Sequence, residues 1–237
     1  MSKKVIAMDM DGTITQHKSI LETENRKVLE KLKEKYQLVV VGAGSCERIK
    51  NQLQFEGIDI VGNYGMQMAF YEPEQQDWKV VVNEKRPYDK ESIEQRMSNF
   101  RKKYGYENYM GESVEFHESG VVTLPLIGTK AKLEDKLAFD PSRTKRRTIY
   151  QEVVKLFNEY TVFIGGTSSY DMVPEPFDKY YALIKYAELK KYSKEDIVYI
   201  GDDYGVGGND SQIYNSDITF FTIDDYRKFP EVVQELL

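Results

Sequence analysis

The apolar run Val5-Ile6-Ala7-Met8 passes without a break into Asp9-Met10-Asp11-Gly12-Thr13. Four consecutive apolar residues with no polar alternation read as a short strand buried on both faces. Two carboxylates two residues apart, where a strand is ending, point the same way. Gly12 then lets the chain turn away. Nothing structural calls for two like charges there, because each raises the other's cost of ionising. A Mg²⁺ ion between them would remove that cost, being a hard cation that takes oxygen ligands. A carboxylate beside Mg²⁺ and a phosphate is also a competent nucleophile, giving an aspartyl phosphate. The plain alternative is a strand end closed by an Asx turn.

The pattern continues as an alternation of helix and strand. Leu21, Val28, Leu29 and Leu32 recur at helical spacing, so Leu21–Lys35 is expected to be an amphipathic helix. Gln37–Val41 is a second buried strand, ending in Gly42-Ala43-Gly44-Ser45 before a further helix. Strand, helix, strand implies a parallel sheet with a right-handed crossover. A Gly-rich turn into a helix N-terminus is a place where backbone N–H groups hold an anion. Ser45 is the candidate hydroxyl there, with Ala43 as the other position, and Arg48 lies one turn further along. Arg48 reads equally well as part of a solvated helix face. Asp59–Val61, Met66–Tyr71 and Trp78–Val82 are further strands.

From about Asn83 the character changes. A charged helix is expected over Lys90–Tyr104, then a hairpin from Ser113–His117 and Val121–Leu126 around Glu118-Ser119-Gly120. A helix over Arg143–Glu159 follows, opened by Asp140-Pro141-Ser142, and then strands Thr161–Ile164 and Tyr170–Val173. This compact antiparallel α/β unit is read as an insertion. The expected division is a discontinuous core over 1–82 and 178–237, with an inserted domain over 83–177. Lys179–Leu189 then returns as a helix, Ile197–Ile200 and Ile218–Phe221 as strands, and Asp224–Leu236 as a terminal helix.

The composition narrows the classes of partner. A formal net charge of −6 gives a nucleic-acid role no electrostatic support. Cys46 is the single cysteine, so no intrachain disulfide forms and a reducing compartment is expected. The first apolar run is too short for a signal peptide or a membrane span. The expectation is a cytoplasmic protein with a small-molecule substrate, no nucleic acid and no membrane.

The sequence DMDGT after a first strand resembles the signature of the haloacid dehalogenase (HAD) superfamily of phosphohydrolases and phosphomutases. The resemblance implies Asp9 as nucleophile and Asp11 as general acid/base, with Gly12 beside the phosphate. It implies Lys179 neutralising phosphate and nucleophile, and Asp202 in Gly201-Asp202-Asp203 as a metal ligand with Asp9 and the backbone carbonyl of Asp11. Asp203 and Asp210 are further candidates or simply turn formers. Asn63-Tyr64-Gly65 resembles a stretch carried by subclass IIB. The segments VVVGAGSCERIKNQL, VEFHESGVVTLPLIG, IGGTSSYDMVPEPFDKYYAL and IGDDYGVGGNDSQIY are together similar to eukaryotic-type phosphomannomutases. The implied fold is α/β: a Rossmann-like parallel-sheet HAD core with an inserted α/β cap domain containing an antiparallel sheet. Ser169 and Asp171 match cap residues that contact substrate in that family. The resemblance also raises a homodimer through the cap, which the residues leave open.

One departure is chemical. The family holds its substrate's distal phosphate with arginines, where this chain has Lys18, His117, Thr129 and Lys136. Lysine does not reproduce a bidentate guanidinium clamp, and threonine replaces none of it. The cap keeps other basic residues, among them Lys130, Lys132, Arg143, Lys145, Arg146 and Arg147, which read as a solvated helix face or a phosphate site. A mutase must hold a bisphosphate and exclude water, whereas a phosphatase needs one phosphate site. The expectation is therefore a Mg²⁺-dependent HAD phosphatase acting on a sugar phosphate, with Lys136 and Arg48 as further phosphate ligands. Phosphomannomutase is the alternative. A non-catalytic phosphosugar-binding protein is the third reading.

Overall fold

The structure is a computed structural model that describes residues 3–237. In chain order the first elements are β1 (Val5–Met8), α1 (Thr23–Lys33), β2 (Gln37–Val41), α2 (Cys46–Leu53), β3 (Asp59–Gly62), β4 (Gln67–Glu72) and β5 (Asp77–Asn83). Then come α3 (Lys90–Tyr104), β6 (Glu115–Phe116), β7 (Val122–Pro125), α4 (Leu133–Phe139), α5 (Thr144–Leu156), β8 (Tyr160–Phe163) and β9 (Ser169–Pro174). The chain closes with α6 (Lys179–Lys190), β10 (Ile197–Gly201), α7 (Ser211–Tyr214), β11 (Thr219–Thr222) and α8 (Phe229–Val232). Two compact units result. One holds the chain up to Glu84, Phe177–Gly205, and Asp210 to the end; the other holds Lys85–Pro176 with Val206–Asn209.

The first unit is built on a seven-stranded sheet in the order β11-β10-β1-β2-β3-β4-β5. The strands from β11 to β3 are parallel, and β4 and β5 complete the sheet antiparallel. Strand β1 lies between β10 and β2, with Met8 opposite Ile200 on one side and Val40 on the other. All four of its residues are buried, because the two faces feed different cores. Ile6 and Met8 pack with Leu29, Val40 and Phe229, whereas Val5 and Ala7 pack with Val39, Leu183 and Tyr186. Such a strand is fixed in place from both sides, and so is whatever follows its C-terminal end.

The second unit is a four-stranded antiparallel sheet, β6-β7-β9-β8, with its own core of Ile93, Met97, Val122, Leu124, Val153, Phe157 and Tyr170. Helix α3 has the expected limits. It is capped by Asp89, whose side chain accepts from Ser92 N–H, and closed by Gly105 at φ +73°.

Several expectations are corrected. Helix α4 was not anticipated: it buries no residue, and Leu133 and Leu137 are 70% and 54% exposed. A helix with no face committed to the core leaves no periodic signature. The terminal helix expected over Asp224–Leu236 is broken into short turns, of which α8 carries Pro230 in its first turn. Proline has no N–H to bond the preceding turn, so a continuous helix does not run through it. Strand β6 is two residues rather than five, and α1 starts after Leu21, whose N–H donates to the Gln52 carbonyl instead.

Arg146 was grouped with a solvated basic face, and the structure places it in the interior at 1% exposure. Its Nε donates to Asp140 Oδ2 at 3.0 Å, and Nη1 reaches the carbonyls of Gly165, Gly166 and Ser169 at 2.8, 3.1 and 3.1 Å. It therefore ties the start of α5 to the β8–β9 turn. Truncating one member of a buried pair leaves the other's charge without its counter-ion. Arg146→Ala is expected to destabilise the fold by about 3–5 kcal/mol, read as an earlier denaturant midpoint; an unchanged midpoint would mean that the pair holds nothing.

Candidate active site at the ends of the parallel strands

The carboxylates converge because β1 and β10 lie side by side and end together, and the loop after β10 folds back on them. Asp9 follows β1, and its N–H donates to the Ile200 carbonyl of β10 at 3.0 Å. Asp202 follows β10 directly, and Asp210 lies at the far end of the same loop. One oxygen from each of Asp9, Asp202 and Asp210 falls within 4.8 Å of the others. The loop folds back on itself to achieve this: Asp203 N–H donates to Asp210 Oδ2 at 3.0 Å, and Asp210 N–H to the Asp203 carbonyl at 3.0 Å. Tyr199 on β10 donates its hydroxyl to Asp210 Oδ1 at 2.7 Å.

Lys179 opens α6, whose N-cap Asp178 accepts from Tyr181 N–H. Its side chain is 0% exposed, and Nζ lies 2.8 Å from both Asp9 Oδ1 and Asp210 Oδ1. Burial alone would lower the ammonium's pKa, but the two carboxylates reverse the sign and keep it charged. One ammonium does not balance three carboxylates. Burial pushes the Asp9 carboxyl well above its ordinary range, and Asp210 and Asp202 add to that against Lys179. Asp202 is raised to about 6, first by burial and then by Asp210. Thr13 Oγ1 donates to Asp202 Oδ1 at 3.1 Å. Gly12 brings the loop against the same group: at φ +98°, a Cβ there would sit 2.5 Å from an Asp202 oxygen.

Asp11 is not the partner of Asp9 that strand geometry predicted. Its carboxylate meets helix α2 instead, pairing with Arg48 through Oδ2 and accepting from Gln52 Nε2 at 2.7 Å and Lys18 N–H at 2.8 Å. Strand β1 ends at Met8, so the period-two rule no longer applies at Asp11, three residues later. Burial would raise this carboxyl, but Arg48, Gln52 and the Lys18 N–H outweigh it and hold the group below its ordinary value. Arg48 was expected on phosphate and here sits on Asp11. Ser45 caps α2, its Oγ accepting from Arg48 N–H at 3.2 Å.

In the other unit, Ser169 Oγ donates to the Gly165 carbonyl at 3.0 Å. Asp171 accepts from Thr123 Oγ1 at 3.0 Å across the β7–β9 pairing, and His117 Nε2 lies 3.0 Å from the same hydroxyl. Lys136 Nζ donates to the Thr129 carbonyl at 2.8 Å. Sequence reasoning had left Asp210 open between a further candidate at the site and a turn former, and did not single out Gln52 or Tyr199. The signal for Gln52 was its i+4 spacing from Arg48, which puts both on one helix face.

Comparison with known proteins agrees with this geometry. A family model described as eukaryotic phosphomannomutase matches residues 25–231. The chain belongs to that family. A probable phosphomannomutase of Caenorhabditis elegans is 26% identical over 260 residues, spanning 99% of this chain and 97% of the relative. An IMP-bound, N-terminally truncated IMP-nucleotidase of Plasmodium falciparum superposes with a TM-score of 0.70 at 14% identity, over 99% of this chain and 68% of that one. A haloacid dehalogenase-like hydrolase of Bacteroides thetaiotaomicron gives 0.59 at 15% identity, with 100% of each chain covered. The architecture is that of the HAD superfamily, and the chain is a HAD-type phosphotransferase. No helix among the described residues is long and apolar enough to cross a membrane.

Three carboxylates with a surplus of negative charge are an oxygen donor set suited to a hard divalent cation. Without one, the Asp202 contribution to stability is fully present below its ordinary 3.8 and is lost as pH rises through about 6. A divalent cation should raise the thermal midpoint at neutral pH by the equivalent of about 2.7 kcal/mol at a hundredfold excess over its Kd. The gain should shrink as pH falls through about 6, where protons compete for Asp202. A melt insensitive to the ion at every pH would dismiss the cluster as a metal site.

Proposed function

We propose that the chain interconverts hexose 1- and 6-phosphates as a Mg²⁺-dependent phosphomannomutase, carrying the phosphoryl group on Asp9. The observation that carries this reading is the family match over residues 25–231. The sequence reading had put hydrolysis first, because Lys18, His117, Thr129 and Lys136 stand where the family carries arginines. The family match favours transfer, and transfer is the reading adopted here.

Asp9 attacks phosphorus in line, and the bond from phosphorus to the leaving sugar oxygen breaks. Asp11 gives that oxygen its proton. In the return step a second sugar hydroxyl attacks the phosphoryl group on Asp9 and yields its proton to Asp11. Lys179 keeps Asp9 in place from within the fold, at 2.8 Å. Asp9 and Asp202, with the backbone carbonyl of Asp11 and Asp210 nearby, would hold Mg²⁺. Bound there, the ion would neutralise phosphate oxygens and the surplus carboxylate charge. Ser169 and Asp171 are the substrate-contacting residues we propose on the cap. A cytoplasmic setting fits the single cysteine.

Hydrolysis of a sugar phosphate is the second reading, and one observation favours it. Of the cap cations singled out, Lys136 is engaged with the Thr129 carbonyl and Arg146 is buried against Asp140. Neither offers a guanidinium clamp as it stands.

The test uses purified chain, Mg²⁺ and mannose 1-phosphate, with and without a hexose bisphosphate. The mutase reading expects hexose 6-phosphate that depends on the bisphosphate. Inorganic phosphate as the sole product would overturn it in favour of hydrolysis. Asp9→Asn should bring either activity to background; full activity in that variant would remove Asp9 from the chemistry.

A further inference from the structure

Gln52 occupies an unusual place for a glutamine. It is 8% exposed, in the last turn of α2, on the face that also carries Arg48. A buried amide is costly unless its donors are used, and an apolar side chain of similar volume would fill the space as well. Here Nε2 donates to Asp11 Oδ1 at 2.7 Å and lies 3.2 Å from Thr15 Oγ1. Thr15 Oγ1 in turn donates to the Met10 carbonyl at 3.2 Å, and the Gln52 carbonyl accepts from Leu21 N–H at 3.3 Å. The Gln52 side chain therefore joins helix α2 to the loop that presents Asp11 at Asp11 and Thr15, while the backbone carbonyl of the same residue holds Leu21.

The two side chains on this face are not equivalent. The Arg48 side chain is 40% exposed, so it has room to exchange the Asp11 carboxylate for an incoming anion. Gln52 is enclosed and stays with Asp11. Its amide is neutral, so it donates to the carboxyl and orients it without placing a full positive charge beside it. Arginine at the same place would favour the carboxylate alone.

We propose that Gln52 is a positioning residue: it fixes the Asp11 carboxyl in the orientation from which the proton passes to the leaving oxygen. The inference rests on the reading of Asp11 as the acid/base. In the step concerned, an Asp9 oxygen bonds to phosphorus, the bond to the sugar oxygen breaks, and the Asp11 proton moves to that oxygen.

A dependence on the leaving group separates positioning from packing. A sugar oxygen leaves poorly without a proton, whereas p-nitrophenolate leaves without one. The measurement is kcat/KM of Gln52→Leu and Asp11→Asn, with Mg²⁺, on a hexose phosphate and on p-nitrophenyl phosphate. Misplacing a catalytic group by about an ångström costs on the order of 100-fold. Gln52→Leu should lose about 10- to 100-fold on the sugar phosphate and about 3-fold or less on the aryl phosphate. Asp11→Asn should show the same split, larger. Should the leucine variant fold poorly by thermal melt, Gln52→Asn keeps the amide one methylene short of Asp11 and should reproduce the split. Equal losses on both substrates in the Gln52 variants, beside a split in Asp11→Asn, would overturn the positioning role alone. Equal losses in Asp11→Asn as well would overturn the reading of Asp11 on which it rests.

Discussion

A fully buried ammonium between two carboxylates organises the catalytic unit. Lys179 reaches Asp9 and Asp210 at 2.8 Å each, from the first residue of α6. A lysine without exposure is tolerated only when it is paired, so α6, β1 and the loop after β10 must arrive at one place. Each arrival has its own support. Asp178 caps α6, β1 is packed on both faces, and two hydrogen bonds between Asp203 and Asp210, one to a backbone carbonyl and one to the Asp210 carboxylate, close the loop. The excess of carboxylate over ammonium is then a charge problem inside the fold. An oxygen-binding divalent cation answers it.

Asp9 and Asp11 are two residues apart, yet they belong to different electrostatic neighbourhoods. Burial and neighbouring carboxylates raise the Asp9 carboxyl, whereas Arg48, Gln52 and the Lys18 N–H hold the Asp11 carboxyl down. The first is surrounded by groups that stabilise a metal and a phosphate, the second by hydrogen-bond donors from a helix. Without a cation these shifts run against the proposed roles, because a nucleophile needs its carboxylate and a general acid its proton; a cation beside Asp9 would restore the first. The turn that separates them depends on Gly12, where a side chain would collide with Asp202.

Much of this was legible in the sequence, for identifiable reasons. The alternation of buried strands and helices pointed to the parallel sheet, with Asp9 and Asp202 read at strand ends and Lys179 at a helix start. Asp210 stayed open between a site residue and a turn former, because its place beside Lys179 depends on a loop that doubles back. The direction of Asp11 was misjudged because the strand rule was carried beyond the end of the strand. Arg146 looked like one cation among several on a helix face, and only the β8–β9 turn packed against it makes it interior. Helix α4 was invisible for the opposite reason, since it buries nothing.

The central claim is that Asp9 carries the phosphoryl group. The direct measurement is the mass of the acid-quenched chain after brief exposure to a hexose bisphosphate with Mg²⁺, followed by mapping of the modified peptide. The account predicts the addition of one phosphoryl group, confined to the peptide containing Asp9 and absent from Asp9→Asn. Turnover accompanied by a phosphoryl group on any other residue would contradict it.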